Sequence, residues 1–287
     1  MVTQRLNNFA NIHNIEIGVC HAAPLSMERL MESPFVPFVK KDLQKRINPQ
    51  LTLPEALSVI IVGVGYEKLG EDNKEGTTAL SSLGANFDYH IKVREILKAL
   101  VNELQHENFK YKILVDTSGL DERQLAERAG IGFFGKNKLI ISQKFGSKFN
   151  IGCLVTNIPF ENLVTPNNKP DKKTSCPPDC NKCIKSCPTN ALSTPYLNTK
   201  KCVSYLTQKD ELTVEESLLL NNQLYGCDIC QDVCPFNKPS IKTYVNPNDI
   251  LTMNEDEFAK EYNKTAMHFG GLEKIKRNAL LLTSRRY

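Results

Sequence analysis

The sequence predicts an α/β domain over residues 1–170, a small cysteine-rich module over 171–240 and a short helical tail over 241–287. Three observations predict this. Apolar runs of strand length alternate with amphipathic helical stretches in the first part, the pattern of a sheet covered by helices. Seven of the ten cysteines fall in two short runs, "CPPDCNKCIKSCP" and "CDICQDVCP". After the second run the chain returns to helical patterning and ends in "RNALLLTSRRY".

Taken in order, "FANIHN" reads as helix and "IEIGVC" as a short strand. "ALSVIIVGVGY" is a continuous apolar run bounded by Pro54 and Gly65, the mark of a strand buried on both faces. Between 88 and 107, Val93, Ile96, Leu97, Leu100, Val101 and Leu104 step by three and four, which makes an amphipathic helix. "YKILVD" is a strand ending at Asp116, and "DERQLAERAG" is a helix stopped by Gly130. "KLIIS" and "FNIGCLVTN" are two further strands. The Pro- and Asn-rich "PFENLVTPNNKPDKKTS" is a connector.

Hydrophobic residues at 41% and charged residues at 24% are those of a soluble globular chain. The longest apolar run is about half of what a membrane span needs. The start, "MVTQRLNNFANIHN", lacks the apolar core of a signal peptide, so a cytoplasmic protein without membrane attachment is expected. Structural disulfides are rare in that compartment, and ten cysteines there point to metal. The net charge of +4 permits an anionic partner without demanding one.

In bacterial ferredoxins, three cysteines spaced two residues apart are followed, after three more residues, by a fourth cysteine and a proline, and that fourth cysteine serves the other cluster. Here the runs are Cys176, Cys180, Cys183, Cys187–Pro188 and Cys227, Cys230, Cys234–Pro235, with Cys202 between them. The first interval is one residue longer than the pattern. Applied to this chain, the crossover rule puts Cys176, Cys180, Cys183 and Cys234 on one [4Fe–4S] cluster. Cys187, Cys202, Cys227 and Cys230 hold the other. Two structural zinc sites are the competing reading, but zinc has no use for two CxxxCP endings. Cys20 and Cys153 are left over, as small buried hydrophobes.

In the first domain, "VDTSGLDERQLAERAGIGFFGKNKLII" carries the candidate chemistry. Asp116 ends a strand, where α/β sheets bind ligands, or else it caps the turn before the next helix. Gly130, Gly132 and Gly135 leave room for backbone to approach a large flat ligand. Their spacing is neither a dinucleotide fingerprint nor a P-loop.

These stretches, with "RINPQLTLPEALSVIIVGVGY", "DYH" at 88–90, "KKCVSYLTQK" and "RNAL", resemble the epoxyqueuosine reductase family over nearly the whole chain. The resemblance implies a cobalamin-binding α/β domain of reductive-dehalogenase type, then a bacterial-ferredoxin-like double-cluster domain. It implies reduction of epoxyqueuosine to queuosine at the wobble position of tRNA. The expected cofactors are cobalamin, with its lower base displaced, and two [4Fe–4S] clusters. The expected partners are queuosine-family anticodon stem-loops and an external low-potential donor such as flavodoxin or ferredoxin, acting on a monomer. Carried over, Asp116 matches the proton donor, with its pKa raised by burial beside the corrin. Arg46, Asn137 and Ser204, with Lys136, fall in stretches that line the cobalamin pocket.

The sequence departs from the family at Phe133, at Ser118–Gly119, in "SSLGANF" and at Cys153. Longer members carry a helical-repeat domain after "RNAL" that helps hold tRNA. Two other readings stay open: a cobalamin-dependent reductase of another small electrophile, and a cobalamin/iron–sulfur electron-transfer protein. A basic patch built from Lys172, Lys173, Lys200, Lys201, Lys274, Lys276, Arg277, Arg285 and Arg286 would favour tRNA; ordinary solvated charges are the alternative.

Overall fold

The computed structural model describes residues 2–32, 42–66, 76–116, 119–163, 175–239 and 242–284. Among these, the strands are β1 (Glu16–His21), β2 (Ser58–Gly65), β3 (Thr78–Leu80), β4 (Tyr111–Leu114), β5 (Gly132–Phe134), β6 (Ile140–Ser142), β7 (Phe149–Thr156), β8 (Gln223–Tyr225) and β9 (Thr243–Val245). Two compact units result, residues 1–65 with 90–180, and residues 66–89 with 181–287.

The first unit is built on a four-stranded sheet of order β1-β2-β7-β4, antiparallel throughout. Every residue of β2 but the last is buried, as its unbroken apolar run requires. One face of the sheet packs Cys20, Val59, Ile61, Cys153 and Val155 against Leu125 and Ala126 of the helix Glu122–Arg128. The other face meets the helix Tyr89–Leu104, whose Val93, Leu97, Leu100, Val101 and Leu104 are buried. Gly152 is the point of closest approach there: a Cβ on it would stand 2.3 Å from Val93 Cγ1. The first helix runs Val2–Ile12, longer than "FANIHN", because Leu6 and Phe9 share its buried face. Cys20 and Cys153 are both buried, and burial pushes the Cys20 thiol up to about 12, which removes them from thiol chemistry.

The glycine loop has a structural job of its own. Gly132 lies in β5, which forms a hairpin with β6. A Cβ on Gly132 would stand 2.3 Å from the Ile141 carbonyl oxygen, and one on Gly135 would stand 2.6 Å from Asn137 Oδ1. Gly130 takes φ +78 after the helix Glu122–Arg128. Two of the three glycines thus serve the hairpin's own closure, and the third ends a helix.

The second unit holds a three-stranded sheet of order β8-β3-β9, with β3 parallel to β8 and antiparallel to β9. Its central strand comes from residues 78–80, far upstream of the other two. The helix Leu272–Thr283 buries Leu272, Ile275, Asn278, Ala279 and Leu282, one face at helical spacing. Within "RNAL", Asn278 is fully buried. Its Nδ2 donates to the carbonyls of Thr207 (2.8 Å) and Leu224 (3.0 Å). Arg277 donates to the carbonyl of Lys209 at 2.7 Å.

Candidate functional site

In the second unit the short helices Lys182–Ser186 and Ile229–Asp232 pack together, which brings the two cysteine runs side by side. Cys187, Cys202, Cys227 and Cys230 form one group. Burial is the main force raising the thiols of Cys202, Cys227 and Cys230, and each is raised further by its neighbours in the group. Cys227 reaches about 12 with help from Cys202, Asp228 and Cys187. Cys187 is the exception. Burial pushes it up, but the Thr189 hydroxyl and the N–H groups of Thr189, Leu192 and Ala191 hold it below the ordinary thiol value. Backbone N–H groups also point at sulfur from Ser204 and Tyr205 to Cys202, and from Ile229 to Cys227. Burial keeps the Cys202, Cys227 and Cys230 sulfurs neutral in the protein alone, and the positive charge of cluster iron would make thiolates of them, with the N–H groups at Cys187, Cys202 and Cys227 as support.

In the first unit, Cys176 Sγ accepts the backbone N–H of Lys136 at 3.4 Å. The same unit places Asp116 just beyond β4. Asp116 has φ +54, a left-handed backbone that Asn and Asp tolerate better than most residues other than glycine. Glu122 Oε2 accepts its N–H at 3.0 Å. Its carboxylate Oδ2 lies 3.6 Å from His90 Nε2. The capping reading loses its ground here: the N-cap of the helix Glu122–Arg128 is Asp121, whose side chain accepts from Arg123 N–H.

Arg46 is buried, and desolvation lowers its pKa despite the favourable charges of Asp121, Glu122 and Asp116 around it. Its carbonyl accepts the Asp121 N–H at 2.9 Å. Arg123 in turn donates Nη1 to the Lys138 carbonyl at 3.3 Å. Arg46, Asp116 and the turn at 136–138 are therefore tied to one helix start. Asn137 is buried, with Oδ1 accepting the Leu139 N–H at 3.2 Å. Its Nδ2 is a buried donor that meets no acceptor among the described residues.

Comparison with known proteins bears on this arrangement. Residues 46–117 match the model of "Epoxyqueuosine reductase QueG, DUF1730", and residues 176–237 match that of the "4Fe-4S double cluster binding domain". The epoxyqueuosine reductase of Bacillus subtilis (strain 168) is 36% identical, with 85% of this chain and 67% of that one covered. That of Listeria monocytogenes serovar 1/2a is 34% identical over 94% of this chain and 76% of its own length. A crystal structure of epoxyqueuosine reductase with an epoxyqueuosine-modified tRNA-Tyr stem loop superposes with TM-score 0.85, at 30% identity, covering 98% of this chain and 81% of that one. The chain belongs to the epoxyqueuosine reductase family.

As a member of the epoxyqueuosine reductase family, the chain carries an iron–sulfur module whose matched stretch contains all eight expected cysteines. Other expected residues are placed less simply. Asp116 is not buried by the protein: its side chain is 64% exposed. Ser204 lies in the second unit, where its N–H serves Cys202 and its carbonyl accepts from Thr207 and Gln208. Lys136 spends its ammonium on the carbonyls of Pro177 and Pro178. Of the basic residues, Lys172, Lys173, Arg285 and Arg286 lie outside the described residues. Lys274 is engaged by Asp210 at 2.7 Å, and Arg277 holds the 209–210 turn. Lys200 and Lys201 stay exposed.

Two residues beside Asp116 had no assigned role in the sequence reading. His90 was visible only as the last letter of "DYH", and Glu122 only as part of a helix start. Their contacts span 26 and 6 positions, and neither leaves a periodic trace.

Proposed function

We propose that this protein reduces epoxyqueuosine to queuosine at the wobble position of tRNA, with cobalamin and two [4Fe–4S] clusters. The single observation that carries the reading is Asp116, held at positive φ by Glu122 and facing His90, in a chain of this family. Opening the epoxide puts negative charge on oxygen as the C–O bond breaks. A carboxylic acid beside that oxygen donates the proton, and His90, 3.6 Å from Asp116 Oδ2, is its nearby charge partner when protonated. Bound cobalamin would supply strongly reducing cobalt, and the clusters its electrons. Arg46 and the buried Nδ2 of Asn137 would hold polar groups of the cofactor, and a donor already buried and unsatisfied fits that task. Ser204, in the family's cobalamin-lining stretch, is a further proposed contact of the cofactor. The flat cofactor and the substrate would supply the burial that Asp116 lacks in the protein alone.

In this reading residues 1–170 are the cobalamin and catalytic domain, 171–240 the double-cluster domain and 241–287 the tail. Crossover ligation is assigned as the spacing suggests: Cys176, Cys180, Cys183 and Cys234 on one cluster, and Cys187, Cys202, Cys227 and Cys230 on the other. The tRNA anticodon stem-loop is the macromolecular partner, with Lys200 and Lys201 as available cations. A flavodoxin or ferredoxin is the donor, and the enzyme works as a cytoplasmic monomer. Among the described residues no helix is long and apolar enough to cross a membrane.

The deciding test is reconstituted protein with cobalamin and a reductant on epoxyqueuosine-containing tRNA. Mass spectrometry of the digested nucleosides should show loss of one oxygen atom. Full cluster and cobalamin loading with unchanged nucleoside would reject the tRNA reading and favour another electrophile. In the same preparation, Cys202→Ala should lower iron from about eight per chain toward about four. Bound zinc with no iron in the wild type would reject the clusters.

A further inference from the structure

Three of the cysteine sulfurs share a local arrangement. Cys187 receives the N–H of Thr189, Cys202 that of Ser204 and Cys227 that of Ile229, in each case the second residue downstream. Cys176 is barred from this arrangement. The two residues after it are Pro177 and Pro178, and proline has no N–H. The donor comes instead from 40 residues upstream, where Lys136 N–H reaches Cys176 Sγ at 3.4 Å. The same residue grips the loop that carries the sulfur, with Nζ 3.3 Å from the Pro177 carbonyl and 2.7 Å from that of Pro178. The turn behind it is closed by Gly135 N–H to the Leu139 carbonyl and Lys138 N–H to the Gly135 carbonyl, each 2.9 Å.

We infer that Lys136 is a positioning residue for the cluster that Cys176 serves, replacing the donor that Pro178 cannot provide and raising that cluster's reduction potential. The inference rests on the iron–sulfur reading above. A hydrogen bond to a ligand sulfur withdraws charge from it, and a cation nearby favours the reduced, more negative cluster. Both effects act in the same direction. The ammonium also keeps the loop in register, so that losing it loosens the N–H contact although every substitution except proline retains that N–H.

The test is a redox titration of both clusters by electron paramagnetic resonance, in the full chain after anaerobic reconstitution. Lys136→Met should lower the potential of one cluster by at least about 59 mV, a tenfold fall in its reduced-to-oxidised ratio, and leave the other unmoved. Lys136→Arg, which keeps the cation, should stay within threefold of wild type in that ratio. Adding Pro178→Ala to Lys136→Met supplies a local N–H and should recover part of the shift. If Lys136→Met instead loses about four of about eight irons while Lys136→Arg keeps them, the positioning role also stands. Two potentials unchanged in Lys136→Met, or equal iron loss in both variants, overturns it. A wild type that takes up no cluster rejects the iron–sulfur reading itself.

Discussion

Asp116→Asn should slow single-turnover reduction of the tRNA epoxide by about a hundred- to ten-thousand-fold, the usual worth of a general acid. The substitution isolates the proton. Asparagine has the same shape and, like aspartate, tolerates the left-handed backbone that Asp116 adopts at φ +54. Its N–H still reaches Glu122, and the capping of the next helix is unaffected because Asp121 performs it. Fold, iron content and cobalamin affinity should therefore match the wild type. Pre-reduced protein is the right preparation, since it takes the external donor out of the measured rate. A variant within about threefold of wild type would show that no proton from Asp116 is used, and would return the residue to a backbone role.

Asn278→Ala should cost about 2–6 kcal/mol of stability, a large loss for a single side chain remote from Asp116. The fully buried amide donates to two carbonyls at once, those of Thr207 and Leu224. Removing it strands two buried acceptors at about 1–3 kcal/mol each. Those carbonyls are not arbitrary. Thr207 ends the short helix that follows Cys202, and its Oγ1 accepts the Gly226 N–H at 2.8 Å, next to Cys227. Leu224 lies in β8, which leads into Cys227. The amide thus clamps two segments that carry ligands of one proposed cluster. Anaerobic denaturant titration should register the stability loss, and iron analysis should show the Cys202–Cys227 group depleted first. A midpoint shift worth less than about 1 kcal/mol would show that the carbonyls find other donors.

The long strands of the first unit were legible because burial writes an apolar run, as in "SVIIVGVG", whereas the three-residue strands β3, β5, β8 and β9 are too short to leave one. The double-cluster module was legible because cluster chemistry fixes the spacing of its cysteines. Pairing was not legible. A strand's apolar pattern states which residues are buried but not which strand lies alongside, so the antiparallel order β1-β2-β7-β4 left no mark. Glycine in "GIGFFG" was read as space for a ligand, and the packing of Ile141 against Gly132, a second reason for glycine there, was not legible. Asp116 was visible at a strand end, but its neighbour His90 arrives from the start of a helix earlier in the chain. The long basic side chains misled in a related way. Lysine and arginine look like surface charge in sequence, and here Lys136, Lys274 and Arg277 spend their donors on backbone or carboxylate within their own units.

The upstream origin of β3 has a consequence for how such proteins are inherited and rearranged. A ferredoxin-like segment cut out just before Cys176 would leave β8 and β9 on either side of a gap, because the strand that joins them comes from residues 78–80, on the far side of that cut. Two short strands without their shared partner present open edges, which invite pairing with other chains. Recombination at the obvious seam therefore yields two sticky fragments. The electron-carrying half is therefore inherited intact only together with its upstream strand, and a graft of the cluster module onto another catalytic domain must bring residues 76–89 with it.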